Sequence, residues 1–66
     1  MKIKVDLEND ALYFRLDDSK IIESEEVKPG IVIDYNEFDK IVGIEILHLQ
    51  DNVSKEYLKK MQFETA

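Results

Sequence analysis

The stretch Ile31-Val32-Ile33-Asp34-Tyr35-Asn36-Glu37-Phe38-Asp39-Lys40-Ile41-Val42-Gly43-Ile44-Glu45-Ile46-Leu47 decides the fold. Two β-branched runs flank a short polar segment, which is the pattern of an antiparallel hairpin. Alternation places Ile31, Ile33 and Tyr35 on one face of the first arm and Val42, Ile44 and Ile46 on one face of the second. The opposite faces carry Val32 and Asp34, then Ile41, Gly43, Glu45 and Leu47, a mixture too apolar for a fully wetted surface. In the loop, Asn36 or Asp39 is expected to take a left-handed conformation. Gly43 within a strand marks a bulge or a close approach.

Toward the N-terminus the same period of two recurs. Lys2-Ile3-Lys4-Val5 and Ala11-Leu12-Tyr13-Phe14-Arg15-Leu16 read as two strands, over 2–6 and 11–16, joined by the turn-prone Asp6 to Asp10. Leu12, Phe14 and Leu16 share a face with Ile3 and Val5, and Tyr13 and Arg15 point the other way. Asp6 and Asp10 are expected to hydrogen-bond the turn backbone. A third strand over 20–27 is diluted by Glu23, Glu25 and Glu26. Pro29-Gly30 then forms a tight connection, with proline fixing φ near -65° and glycine permitting a positive φ.

Toward the C-terminus the period lengthens. Leu49, Val53, Tyr57 and Met61 recur every four residues, which predicts an amphipathic helix over 52–63, N-capped by Asp51, Asn52 or Ser54. The fold class expected is α+β: a five-stranded antiparallel β-meander, with strands over 2–6, 11–16, 20–27, 31–35 and 41–47, and a C-terminal helix packed on one sheet face. Short connections exclude parallel crossovers.

The chain has 66 residues, with nine Lys and Arg against 15 Asp and Glu, a net charge of -6. One small domain of this size buries only about 60% of its unfolded surface, so its core is thin. It has no cysteine and a single histidine, His48. Disulfides are thereby excluded and a lone histidine makes a poor metal staple, so association is the most economical remaining stabilising device, although a well-idealised small fold could manage without it. The acidic balance repels a phosphate backbone, so nucleic acid is not an expected direct partner. No apolar run approaches the roughly 20 residues of a membrane span and no signal peptide opens the chain, so a cytoplasmic location is expected.

Chemistry has few candidates. Ser19, Ser24 and Ser54 lack the glycine-framed turn of a nucleophile elbow. His48 with Asp51 is short of a zinc ligand set. Asp34, Asn36 and Glu45 fit three positions of a calcium loop, but Phe38 and Asp39 occupy positions that need an oxygen ligand and a glycine. Glu23, Glu25 and Glu26 read as a solvated edge that discourages edge-to-edge aggregation.

The segments Asp6, Asp10-Ala11-Leu12-Tyr13, Leu16, Glu26-Val27, Pro29-Gly30, Asp34-Tyr35 and Val42-Gly43-Ile44-Glu45-Ile46-Leu47 occur in an order that resembles a family of small, mainly prokaryotic proteins, the domain of unknown function 2283. The chain departs from that pattern at Phe38-Asp39, where the family commonly has an acidic residue followed by glycine. The resemblance implies a small sheet with a helix, no established activity and no catalytic residues. It also implies genes lying beside small toxin-like proteins, and hence an antitoxin-like role.

The function expected is a noncatalytic protein–protein interaction module, either a homodimer or the partner of another protein such as a basic toxin. Its surface would comprise Tyr13, Val32, Ile41 and Leu47 on the face the helix leaves open, with Glu23 and Glu25 as an acidic patch. No cofactor and no metal are expected. The alternative is a small-ligand or metal-binding protein, or an enzyme, with a site around Asp34 and His48 and with Asp6 and Asp10 nearby.

Overall fold

In the computed structural model, residues 1–58 and 60 are described, the side chains of Asn52, Lys55 and Leu58 excepted. Five strands form: β1 (Lys2–Asp6), β2 (Ala11–Arg15), β3 (Glu23–Lys28), β4 (Ile31–Tyr35) and β5 (Ile41–Ile46). They make one antiparallel sheet in the order β1-β2-β5-β4-β3.

This order corrects the expected meander. In a meander the third strand would be central, yet β3 carries Glu23, Glu25 and Glu26 and every one of its residues is exposed. On a central strand Glu23 and Glu25 would stand amid the apolar face, which costs far more than leaving them at its edge. The apolar β5 takes the centre, with Val42 and Gly43 buried. Together β2, β5, β4 and β3 have the spatial order of a Greek key read in reverse.

Residues 16–22 therefore cross three strand spacings, about 14 Å, well within the reach of seven residues at about 3.3 Å each. The crossover is tied at both ends: Leu16 N donates to Val42 O at 2.8 Å and Ile22 N to Tyr35 O at 2.8 Å.

Two tight turns follow local chemistry. Gly30 has φ +84°, the value a Pro-Gly turn requires. A Cβ there would also stand 3.3 Å from Leu47 O. In the β4–β5 loop Asp39 is left-handed at φ 59°, and Asn36 Oδ1 accepts from Phe38 N at 2.9 Å and Lys40 N at 3.0 Å. The Asn36 side chain thus organises the loop.

The helix expected over 52–63 is replaced, among the described residues, by two single-turn segments, α1 (Leu49–Asn52) and α2 (Lys55–Leu58). Residues 59 and 61–63 of that span lie outside the described residues. Val53 is extended at φ -133° and ψ 131°, which ends α1. Its β-branched side chain and the following Ser54, which competes for backbone hydrogen bonds, both weaken helix continuity. Ser54 precedes α2, and its hydroxyl accepts from Tyr57 N at 3.4 Å. Val53 and Tyr57 are 37% and 68% exposed, whereas Leu49 is 2% exposed and packs on Leu12, Phe14 and Ile46. Leu49 is the one residue of the predicted stripe that the sheet buries among those described.

Register sorts the side chains into two faces. On one, Ile3, Phe14, Ile44, Ile33 and Glu25 form a row across the five strands, and Val5, Leu12, Ile46, Ile31 and Lys28 form the next. On the other, one row is Lys2, Arg15, Gly43, Asp34 and Ser24, and the next is Lys4, Tyr13, Glu45, Val32 and Glu26.

Candidate functional site

The second face is built around the absence of a side chain. A Cβ on Gly43 would lie 2.7 Å from Asp34 Oδ2 and 2.9 Å from Tyr13 OH, so only glycine lets those two groups meet above β5. Asp34 is buried, 5% exposed, and its carboxylate accepts from Ser24 Oγ at 2.6 Å and from Tyr13 OH at 3.4 Å. Both partners lie on strands flanking the Asp34–Gly43 pair, so hydrogen bonds satisfy the buried carboxylate across four strands.

The network continues through Arg15. Its Nη1 donates to Tyr13 OH at 3.4 Å, its Nε to Asp17 O at 2.7 Å and its Nη2 to Ser19 O. The guanidinium thereby pins the crossover above the sheet, and the bond to Tyr13 pushes the Arg15 pKa further upward. Asp17 is held below the usual carboxylate range by hydrogen bonds from Ser19, hydroxyl first and backbone N–H second. Asp6 is lowered in the same way by the Asn9 side chain and backbone, with bonds of 2.8 and 3.1 Å.

Beside Arg15 lies a shallow cleft of about 450 Å³ lined by Lys2, Lys4, Tyr13, Arg15 and Asp18. Charge on this face is graded: three cations stand over β1 and β2, and Glu45, Asp34 and Glu26 stand over β5, β4 and β3.

The expected site residues are distributed as follows. Tyr13 and Val32 fall in one row of the second face, separated by Glu45. Ile41 opposes Tyr35 across a bulge at one end of β5, 46% exposed, and Leu47 follows the other end, half-buried, its N–H donating to Gly30 O at 2.7 Å. Glu23 and Glu25 are exposed on the β3 edge, in line with the apolar face, where with Asp39 and after burial itself they raise the Tyr35 pKa. Asp34 and His48 lie toward opposite ends of β4, since Asp34 pairs with Gly43 whereas the His48 ring stands beside Gly30. Among the described residues no group of three His, Cys, Asp or Glu is placed to hold a metal.

Asp6 does bond its own turn, but Asp10 serves a different element. Asp10 is left-handed at φ 54°, and its Oδ1 accepts from Gln50 N at 3.0 Å while its carbonyl accepts from Leu49 N at 3.0 Å. It caps α1 from 40 residues away. Sequence reasoning also does not single out Lys2, Lys4, Arg15 and Ser24 as a group. The hairpin register of β1 and β2 is the signal that brings the first three together.

The apolar face is the other unusual feature. Ile3, Val5, Leu16 and Ile41 are 38%, 39%, 36% and 46% exposed, and Phe14, Ile31, Ile33, Ile44 and Ile46 are only half-buried. Among the described residues no helix is long and apolar enough to cross a membrane.

Compared with known proteins, the chain matches a family model described as "Protein of unknown function (DUF2283)" over residues 2–50. No curated protein matches, and no solved structure matches.

Proposed function

The chain belongs to the DUF2283 family, and from that premise we propose that it is a protein–protein interaction module that pairs with a second copy of itself through its apolar sheet face. The observation that carries this reading is the two apolar rows, Ile3-Phe14-Ile44-Ile33 and Val5-Leu12-Ile46-Ile31, with Leu49 packed over one end. A sheet with an apolar face needs a second layer to bury it; Leu49 covers Leu12, Phe14 and Ile46 and Val42 is fully buried, whereas Ile3, Val5 and Ile41 stay more than a third exposed.

In a symmetric dimer the same face would serve both subunits across a two-fold axis. Five strands spaced about 4.8 Å and about 17 Å long give a flat footprint of roughly 400 Å². Side-chain relief raises it toward the roughly 600 Å² per partner of the smaller specific interfaces. Glu23, Glu25 and Lys28 form a charged rim on the β3 side.

Sedimentation from micromolar to near-millimolar concentration tests this. The expected result is a mass approaching twice 7.8 kDa at the higher concentrations, and a folded monomer for Ile3→Glu. A single-chain mass throughout, or a dimer untouched by Ile3→Glu, would overturn the assignment.

A second, antitoxin-like reading is favoured by β3, an exposed edge strand bearing Glu23, Glu25 and Glu26. A basic protein strand can add to such an edge, with charge setting its specificity. Capture from the host of a basic protein that is lost when all three are changed to Gln supports it. Capture unaffected by those changes removes it.

A further inference from the structure

We propose that the cleft over β1 and β2 binds a compact polyanion, with Lys2, Lys4 and Arg15 as its ligands and Tyr13 as its wall. The face concerned is opposite the apolar one, so the proposal stands independently of the dimer.

The chain carries 15 acids and nine bases, yet three of those bases line one cleft with a single acid, Asp18. The cleft therefore holds a formal charge of +2 on a molecule whose net charge is -6. Lys2 and Arg15 are direct cross-strand partners. Like charges placed directly opposite destabilise a sheet, and such a local conflict marks a position kept for another purpose. Among the described residues no salt bridge joins Lys2, Lys4 or Arg15 to a carboxylate; Asp17 and Asp18 act on Arg15, and Asp6 on Lys4, only through longer-range attraction.

Arg15 is also prepared for a ligand. Its three contacts, to Asp17 O, Ser19 O and Tyr13 OH, use three of five N–H donors and fix the plane of the fork. Two donors are left over. A guanidinium already held in place loses less entropy on binding a phosphoryl or carboxylate group than a free one. Lys2 and Lys4 are two residues apart on the same face, about 7 Å, and their flexible stems let both ammonium groups reach one small ion of high charge. A monoanion would neutralise only part of the set. The volume of about 450 Å³ lies within the range of small-molecule sites.

The test uses inorganic pyrophosphate as probe, titrated into the full chain at low salt and followed by amide NMR shifts. The expected result is a saturable shift centred on Lys2, Lys4, Tyr13, Arg15 and Asp18. Affinity should fall at least tenfold in the Lys2→Gln, Lys4→Gln double variant with no loss of melting temperature, because both side chains are exposed and Lys2→Gln relieves the repulsion with Arg15. Ile3→Gln, which places a polar group on the apolar face without adding charge beside Lys2 and Lys4, should bind as the parent does, separating this site from the dimer face. Three results would overturn the proposal: shifts that do not saturate, shifts shared equally by Lys20, Lys28 and Lys40, or undiminished affinity in the double variant. Any of them would leave Lys2 and Lys4 as ordinary charges that keep an edge strand from aggregating.

Discussion

Adding one methyl group at Gly43 puts the second face under direct load. The new Cβ would meet Asp34 Oδ2 at 2.7 Å, Tyr13 OH at 2.9 Å and Tyr13 Cε1 at 3.3 Å. Gly43 has no positive φ, so alanine fits the backbone and recovers about 0.4–1 kcal/mol of chain entropy. Against that, overpacking costs about 1–3 kcal/mol. Pushing the buried Asp34 carboxylate away from Ser24, now 2.6 Å away, weakens a hydrogen bond worth roughly 1 kcal/mol. The balance predicts that Gly43→Ala destabilises by about 2 kcal/mol. For a domain this small that lowers Tm by roughly 8–16 °C, read by circular dichroism. The cause is separable from a general strand effect. In a Tyr13→Phe background the 2.9 Å contact is gone, so the cost of Gly43→Ala should fall by about 1 kcal/mol. An unchanged Tm for Gly43→Ala, or zero coupling to Tyr13→Phe, would refute the close-packing account.

The other predictions concern different parts of the sheet. Asp10→Ala removes the acceptor for Gln50 N and places alanine at φ 54°, so it should cost about 1–2 kcal/mol and speed hydrogen exchange at Gln50; Asp10→Asn, which keeps both features, should stay within about 0.5 kcal/mol. Leu49→Ala empties the contact with Leu12, Phe14 and Ile46 and should cost about 2–3 kcal/mol in urea unfolding. Asp6 and Asp17 are lowered in the folded state, so their stabilisation is fully present above the unfolded carboxylate pKa near 4 and is lost as pH falls through the folded values. Tm should therefore decline below about pH 4, and Asp6→Asn, which keeps an acceptor for Asn9 but cannot titrate, should flatten that decline; an identical acid limb in the variant would discount the Asp6 contribution.

The strands were readable because their signal is local. Period-two alternation located four strands, β3 begins at Glu23 where the reading began at residue 20, Pro29-Gly30 announced its turn, and Asn36 and Asp39 identified the loop between β4 and β5. Gly43 also stood out, as a glycine in an otherwise β-branched run. The helix was read as continuous because a four-residue apolar spacing is silent about Val53, whose extended backbone separates α1 from α2. Alternation likewise assigned Tyr13 and Val32 to one face but could not place Ile41, because the bulge between Asp34 and Tyr35 shifts the register there.

Sequence alone determined the composition of each strand, its two faces, the turn residues and the acidic balance, since all of these depend on neighbours within a few positions. Tertiary structure decided that β2 pairs with β5 and that β3 stands at the edge, a choice between distant partners settled by where Glu23 and Glu25 can remain hydrated. It also decided the Ser24–Asp34–Tyr13–Arg15 network, the reach of Asp10 to α1 and the gathering of Lys2, Lys4 and Arg15. Each of these joins residues on different strands, and register, which depends on the whole sheet, is what sets them side by side.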